Sequence, residues 1–287
     1  MVCLKAYFEI LRPVNSVMIG VAVVIGELLA FGEVPPFFDV VVPGFFTGFS
    51  VCGGAMAIND FYDREIDAIN VPSRPIPSGR MSPKEGLFWS IVLYSLGVLS
   101  SLIINFGCAI IAMVFSVLSA MYASFLKSTG VLGNFVVSVS VGVPLLFGGV
   151  ALGGWDIPEL SLAIFFTAVL ANMGREITKG IMDVEGDALG GVKTLAVRFG
   201  EKAAAKVAAL FFFSAVFVSQ LPYFLDFATV WFEIAVSFVG AGFIILGVNI
   251  VKTPSKENSK KVKKTALKLM ALALICFLGE ALFFEEI

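Results

Sequence analysis

The chain has 287 residues, of which 58% are hydrophobic and 15% are charged, and its formal net charge is −2. With a mean hydropathy of +0.95, this composition excludes an ordinary soluble domain and predicts a polytopic membrane protein. Histidine is absent, which excludes histidine metal ligands and serine or cysteine triads with a histidine base.

Nine apolar segments are long enough to cross a membrane as helices. They lie at about residues 14–32, 38–58, 86–104, 108–126, 133–152, 160–178, 205–224, 228–250 and 266–284. The predicted fold is therefore all-α, with nine transmembrane helices in a single domain of residues 1–287.

The charges of the connecting segments predict the orientation. All 20 Lys and Arg residues fall at one predicted membrane face, whereas the opposite loops carry only acids. The positive-inside rule then places the N-terminus in the cytoplasm and the C-terminus outside. The acids of the opposite loops are Glu33, Asp39, Asp156, Glu159, Asp226, Glu233, Glu285 and Glu286.

Two long segments at the basic face, about 59–85 and 179–204, are predicted to form cytoplasmic cap loops. Long loops carry function more often than short ones do. A third basic segment, Lys252 to Lys268, is predicted to be a solvated loop that is attracted to anionic lipid.

The first cap segment begins with oxygen-bearing side chains at helical spacing. Asn59, Asp63 and Asp67 recur every four residues, so that on a helix they lie on one face with about 6 Å of rise per step. Such a ladder suits a hard cation. The bases that follow, Arg64, Arg74 and Arg80, would repel a metal, so they indicate an anion shared with it, most simply a phosphate.

A second acidic ladder begins the other cap segment. Asp183 and Asp187 match Asp63 and Asp67 at the same offset of 120 residues, and four predicted helices intervene. An even number of crossings returns the chain to the same face, so both ladders are expected at the cytoplasmic ends of their helices. Four neighbouring aspartates need neutralisation. Mg²⁺ ions bound to the aspartates, with a diphosphate that bridges the ions and contacts the bases, would give every charge a partner of opposite sign.

These motifs resemble a known family. Asn59-x-x-x-Asp63-x-x-x-Asp67, the segment Ser73-Arg-Pro-Ile-Pro-Ser-Gly-Arg80 and Asp183-x-x-x-Asp187 are similar to the two signatures of the UbiA superfamily of intramembrane prenyltransferases. The resemblance implies nine helices around a central cavity that opens laterally to lipid and binds an isoprenyl diphosphate through Mg²⁺.

The resemblance also implies roles for individual residues. Asn59, Asp63 and Asp67 would hold one Mg²⁺, and Asp183 and Asp187 would hold a second. The basic residues that would bind the diphosphate are Arg12, Arg64, Arg74, Lys127 and Lys193.

Within the superfamily, the chain most resembles the archaeal digeranylgeranylglyceryl phosphate synthases. The segments that carry this likeness are Asn59–Asp67, Arg74–Arg80 and Lys193–Gly200. The implied reaction transfers a geranylgeranyl group to the free hydroxyl of geranylgeranylglyceryl phosphate, a step of archaeal ether-lipid synthesis. Aromatic quinone precursors and haem remain alternative acceptors, because the enzymes that use them share the aspartates.

The expected chemistry begins with ionisation of an allylic diphosphate to an allyl cation. Tyr122 and Tyr62 are predicted to stabilise this cation through their rings. Glu176 is a candidate base, or it forms a hydrogen bond between helices. An acceptor that bears a phosphate needs further cations, for which Lys193, Arg198 and Lys202 are candidates.

A membrane transporter is the alternative of another class, because transporters also place acids within the membrane. Transporter sites lie near the midplane, often at broken helices, whereas these ladders are predicted at helix ends followed by long basic loops. The sequence therefore favours the enzyme.

Overall fold

The structure, a computed structural model, describes residues 4–154 and 157–283. Every regular element in these two ranges is helical. The α-helices are α1 Leu4–Glu9, α2 Pro13–Phe31, α3 Val42–Tyr62, α4 Arg64–Asn70, α5 Pro83–Ile104, α6 Phe106–Ser124, α7 Val131–Gly142, α8 Phe147–Ala151, α9 Glu159–Met182, α10 Val184–Leu189, α11 Leu195–Phe199, α12 Glu201–Phe224, α13 Val230–Lys252 and α14 Lys256–Phe283.

Nine spans in the described ranges are long and apolar enough to cross a membrane, which confirms the predicted fold class. A π-helical turn, Phe37–Val41, extends α3 to make the second span. The fifth span joins α7 to α8 through a 3₁₀ turn, Val143–Leu146, because Pro144 lacks the N–H that a continuous helix needs. Asp156, Glu285 and Glu286, three of the acids in the predicted outer segments, lie outside the described residues.

The segment Lys252 to Lys268, which was predicted to be a solvated loop, is mostly helical. The described loop is only residues 253–255, and α14 begins at Lys256 rather than near residue 266. Ser259, Val262 and Ala266 are fully or almost fully buried, so this end of α14 packs into the bundle with one face. The spacing of these three residues is the helical pattern that the lysines conceal in the sequence.

Small residues let the helices approach closely. A Cβ at Gly48 of α3 would meet Val23 and the backbone of α2, and a Cβ at Gly174 of α9 would meet the ring of Phe212 on α12. Close packing through glycine is typical of helices in membranes, where lipid removes the hydrophobic drive for association. In the second half, α9, α12, α13 and α14 share one buried apolar cluster.

The first cap segment is a compact turn tied to the N-terminal helix. Arg80 donates from Nη1 and Nη2 to the two carboxylate oxygens of Glu9 on α1, at 2.6 and 3.0 Å. Ser82 and Glu85 then form a reciprocal capping box at the start of α5. Arg80, which the sequence suggested for an anion, thus pairs with Glu9 and fastens α1 to the cap.

Candidate active site

The two acidic ladders have the same backbone conformation at the first aspartate. Asp63 ends α3 with φ −83° and ψ 1°, and Asp183 ends α9 with φ −103° and ψ 11°. The short helices α4 and α10 follow at once, and in each case the second aspartate N–H donates to the first aspartate carbonyl at 2.8 Å. Each ladder was expected on one continuous helix, whereas the structure bends the helix at its first aspartate.

The first ladder is neutralised by bases of the protein. Lys127 Nζ donates to Asp63 Oδ2 at 2.5 Å, and Asn59 Nδ2 donates to the same oxygen at 2.8 Å. The guanidinium of Arg74 hydrogen-bonds Asp67. Asp63 and Asp67 are both buried. Their charges therefore have partners without any added cation.

The second ladder has no such partners. Among the described residues, neither the Asp183 nor the Asp187 carboxylate has a hydrogen bond or an ion pair, although both are half-buried. Burial, opposed by nearby lysines, raises the pKa of Asp183. Burial first, and then repulsion by Asp183, raises the pKa of Asp187 to about 6. This ladder is a partly desolvated anionic site that a cation would stabilise.

Lys127 links the two ladders. Its ammonium hydrogen-bonds Asp63 and also lies close enough to Asp183 and Asp187 to lower the pKa of each against the effect of burial. Tyr122, five residues before Lys127, likewise lies within electrostatic reach of Asp63 and Asp187. The ladders therefore face one another at one end of the bundle.

The loop that carries Lys127 is held by the second cap segment. Its 3₁₀ turn, Leu126–Thr129, follows α6, and the backbone N–H of Lys193 donates to Ser128 O at 3.2 Å. Gly130, with φ 73°, leaves no room for a Cβ against the Lys193 carbonyl. This contact fixes Lys127 between the ladders.

Asp60 is a site residue that the sequence argument missed. It is 2% exposed and accepts hydrogen bonds at Oδ1 from Arg12 Nη2 at 2.6 Å and from Arg74 Nη1 at 3.3 Å. Arg74 in turn contacts Asp67, so Arg12 is joined to the first ladder through Asp60 and Arg74. Asp60 is one position out of the four-residue ladder, and no pattern in the sequence marked it.

Other predicted residues lie apart from the ladder acids. Arg64 donates to Phe61 O at 2.9 Å and stacks over the Phe61 ring at 5.2 Å. Lys193 is exposed, and its described hydrogen bond comes from its backbone. Tyr62 is 46% exposed. The structure thus brings Lys127 and Arg74 directly to the acids, and Arg12 through Asp60, but it does not bring Arg64 or Lys193 into contact with them.

A cluster of basic residues lies beside the second ladder. Glu176 is buried on α9, where Arg175 Nη1 donates to Oε1 at 2.6 Å and Lys179 Nζ lies 3.5 Å from Oε2. Glu176 therefore makes ion pairs within its own helix. Lys263 of α14, from the run predicted as a solvated loop, is half-buried and acts electrostatically on Asp183.

An apolar cavity lies between α2, α7, α9, α12, α13 and α14, deeper in the bundle than the ladders. Its lining includes Met18, Ala171, Phe243 and Met270. Two hydroxyl residues also line it, but Thr167 and Ser219 donate to carbonyls of their own helices at 2.8 Å. The cavity is thus suited to hydrocarbon, and it confirms the predicted central cavity.

Residues 19–275 match the UbiA prenyltransferase family. The chain belongs to this family. This UbiA prenyltransferase is 38% identical over 279 residues to a digeranylgeranylglyceryl phosphate synthase from Methanopyrus kandleri, an alignment that covers 97% of this chain and 100% of the relative. The predicted family and the predicted class of enzyme are confirmed, and the protein is a multi-pass membrane protein.

Solved structures agree with this family. One, described as giving insights into a digeranylgeranylglyceryl phosphate synthase in membranes, has a TM-score of 0.79 and 34% identity and covers 98% of this UbiA prenyltransferase and 99% of its own chain. A UbiA homologue from Archaeoglobus fulgidus bound to DMAPP and Mg²⁺ has a TM-score of 0.70 and 19% identity, covering 95% and 98% of the two chains. At that identity the second match shows a common fold.

The donors of the two ladders fit a divalent ion in type and in charge. All are carboxylate or amide oxygens, and the half-buried second ladder has no ion-pair partner in the described part of the chain. Within those residues no three acids or cysteines come together as a complete metal cage. Two carboxylates per ladder suit Mg²⁺, which is usually held by one or two carboxylates together with substrate phosphates.

Proposed function

We propose that this UbiA prenyltransferase transfers a geranylgeranyl group from geranylgeranyl diphosphate to the hydroxyl of geranylgeranylglyceryl phosphate, forming an ether. The observation that carries the transfer chemistry is the pair of bent-helix ladders that face one another across Lys127. Acids for metal and bases for phosphate meet at the ladders, and α9, which carries the second ladder, also lines the apolar cavity that suits a prenyl chain.

The name of the relatives supports the choice of acceptor. The Methanopyrus kandleri protein aligns over almost the whole of both chains, so the likeness is not confined to the ladders. Aromatic and haem acceptors are the competing outcomes, because the ladders activate the donor and do not by themselves select the acceptor.

We assign Asn59, Asp63 and Asp67 to one divalent ion and Asp183 and Asp187 to a second. Mg²⁺, when bound, supplies positive charge that neutralises a diphosphate leaving group. The second ladder is the stronger candidate for binding metal in the absence of substrate, since its carboxylates have no base in contact among the described residues. At the first ladder, binding requires Lys127 and Arg74 to release their carboxylates.

This exchange of partners gives the bases their role. Once Asp63 and Asp67 are neutralised otherwise, Lys127 and Arg74 can donate to oxygens of the diphosphate, with Arg12 behind them at Asp60. Arg64 and Lys193 are secondary candidates, because a cap rearrangement is needed to bring either side chain to the ladders.

In the transfer, the C1–O bond of the donor breaks and its electron pair leaves with the diphosphate. The acceptor oxygen then forms a bond to C1 and loses its proton, so the hydroxyl needs no strong base beforehand. Tyr122, half-buried between the ladders, is positioned to present its ring to the allyl cation. The apolar lining of the cavity on α9 would exclude water from the prenyl chain that leads to the cation.

We place the site at the cytoplasmic face. Both ladders and Lys127 lie at the end of the bundle where the basic segments gather, and cytoplasmic segments carry an excess of Lys and Arg. This orientation leaves the N-terminus inside and, after nine crossings, the C-terminus outside. A protease that is added outside sealed cells would then spare the cap segments.

Purified protein, given geranylgeranyl diphosphate with glyceryl phosphate, aromatic and haem acceptors in turn, tests the proposal. We expect digeranylgeranylglyceryl phosphate by mass spectrometry, with turnover lost on chelation and restored by Mg²⁺. A prenylated aromatic or haem product, with none from the glyceryl acceptor, would contradict the acceptor. Turnover that survives chelation would contradict the metal assignment.

A further inference from the structure

Lys263 is a half-buried cation that the proposed transfer leaves without a role. It lies about two turns into α14, next to Val262, which is 1% exposed, so the surrounding face of the helix packs into the bundle. Among the described residues its ammonium has no hydrogen bond and no ion pair. Its electrostatic neighbours are Lys179, Arg175, Asp183 and Glu176. Two of these neighbours are cations and two are carboxylates, so a further anion would stabilise this half-buried ammonium if the carboxylates are engaged by metal or by Arg175 and Lys179.

The charges around Lys263 indicate how much negative charge a bound anion would carry. Arg175, Lys179 and Lys263 carry three positive charges, and the buried carboxylate of Glu176 balances one of them. If Asp183 binds metal, two positive charges remain. The Nε of Arg175 is also buried without a hydrogen-bond partner. A phosphomonoester, with about −1.5 to −2 charge at pH 7 and three acceptor oxygens, matches this surplus.

The apolar cavity begins below these cations on the same two helices. Ala171 precedes Arg175 by one turn on α9, and Met270 follows Lys263 by two turns on α14, and both line the cavity. Ala273 and Phe277 continue the lining further along α14. A ligand with an anionic head and a hydrocarbon tail would therefore place its two ends in matching surroundings.

We propose that Lys263, with Arg175 and Lys179, binds the phosphate of the acceptor lipid, whose chain enters the cavity between α9 and α14. This proposal rests on the proposed function. The donor diphosphate has its own cations at the ladders, Lys127 and Arg74. On a three-carbon glycerol backbone, the free hydroxyl is at most two carbons from the carbon that bears the phosphate. A phosphate at Lys263 thus holds that hydroxyl near Asp183 and the reacting carbon.

The test uses Lys263→Ala, the charge-preserving Lys263→Arg and, as a matched control, Lys264→Ala. Lys264 has the same charge at the next position but is exposed. In the transfer assay we expect Lys263→Ala to raise the acceptor KM at least tenfold and to leave the donor KM within twofold. Lys263→Arg should recover most of the acceptor affinity, and Lys264→Ala should match the wild type.

The phosphate dependence of the effect separates a binding role from a structural one. With the dephosphorylated acceptor, wild type and Lys263→Ala should have equal KM values. This substrate has no phosphate, so the Lys263 ammonium has nothing to bind in the wild type. An equal rise in KM for donor, phosphorylated acceptor and dephosphorylated acceptor would overturn the assignment. So would a Lys263→Ala enzyme with wild-type acceptor KM.

A binding measurement keeps this result independent of turnover. Hexadecyl phosphate, hexadecanol and a phosphodiester phospholipid are titrated in detergent against wild type and Lys263→Ala, both with and without Mg²⁺. Tighter binding of the monoester alone, lost at least tenfold in the variant, supports the site even if no glyceryl product forms, in which case only the acceptor assignment fails. Equal binding by both proteins, or equal preference for the phospholipid, would overturn it.

Discussion

Lys127 Nζ lies 2.5 Å from Asp63 Oδ2, and the same ammonium partly offsets the effect of burial, which raises the pKa of Asp183 and Asp187 on the opposite ladder. One base is thus shared by acids that are 120 residues apart in sequence. The first ladder has protein partners and the second has none in the described residues, so the two ladders differ although their backbones match. We expect the ladders to differ in function for the same reason.

Lys127→Met tests the shared base. The variant leaves the Asp63 carboxylate without its cation and removes a donor to the diphosphate, a charge-assisted hydrogen bond worth about 1.5–3 kcal/mol. We expect the KM for the prenyl diphosphate to rise about 10- to 100-fold, with smaller change in the acceptor KM. Steady-state kinetics with each substrate varied in turn measure both.

Lys84→Met is the control for Lys127→Met. Lys84 is an exposed lysine near the same end of the bundle, at the start of α5, and its described side chain has no ion pair. It should keep both KM values. Equal kinetics of the two variants would remove Lys127 from the site.

Asp63→Asn and Asp183→Asn test the ladders themselves. Each replaces a carboxylate with a nearly isosteric amide, and loss of one stabilising group at a reacting centre lowers turnover by about 10²–10³. We therefore expect turnover to fall at least 100-fold in both variants. The thermal midpoint in detergent should change little for Asp183→Asn, whereas Asp63→Asn also weakens the ion pair with Lys127 and should lower it. Asp39→Asn, at an exposed position before α3, should keep full activity. An active Asp183→Asn enzyme would contradict the second metal position.

The periodicity of the sequence was sufficient to predict nine spans and both ladders, because hydrophobic length and four-residue spacing are local properties. Side-chain pairs between distant segments could not be predicted, because they depend on how the helices pack. Asp60 with Arg12, Glu9 with Arg80 and Lys127 with Asp63 join residues 48 or more apart, and only side-chain directions across packed helices reveal them.

Lys263 was missed for a different reason. Six other basic residues between 252 and 268 made the segment resemble a solvated loop, and they concealed the buried positions Ser259, Val262 and Ala266. A hydrophobicity window averages the two faces of such a helix, so the inward face could be found only from the spacing of its small and apolar residues.

Asp60→Ala addresses the stability of the first cap. The substitution leaves Arg12 and Arg74 without their shared buried acceptor, and removal of one partner from a buried pair costs about 3–5 kcal/mol. Because the two arginines remain 32% and 26% exposed, we expect the lower part of that range or less. A lower midpoint in thermal unfolding, with donor KM also raised, is the expected result.

Glu65→Ala is the comparison for Asp60→Ala. Its side chain is 87% exposed and pairs only loosely with Arg64, at 3.5 Å. It should leave both the unfolding midpoint and the donor KM unchanged. A midpoint for Asp60→Ala as high as that of Glu65→Ala would show that the buried network does not stabilise the cap.

The raised pKa of Asp187, about 6, predicts how metal binding depends on pH. Burial and the charge of Asp183 favour the protonated carboxyl, so a proton competes with Mg²⁺ at higher pH than at an ordinary aspartate, whose pKa is about 3.9. We expect the apparent affinity for Mg²⁺ to fall as the pH is lowered from 7 to 5. Calorimetric titration of the substrate-free protein measures it.

The same shift fixes the sign of the effect on stability. A carboxyl whose folded pKa is raised contributes stability below its unfolded pKa and loses that contribution as the pH rises through about 6. As the pH is lowered from 7 to 5, the thermal midpoint of the metal-free wild type should therefore rise relative to that of Asp187→Asn, which lacks the titrating group. Mg²⁺ should reverse the trend in the wild type, because it stabilises the ionised carboxylate. Parallel pH profiles for wild type and Asp187→Asn, with and without Mg²⁺, would show that Asp187 is ionised across this range and that no ion binds there.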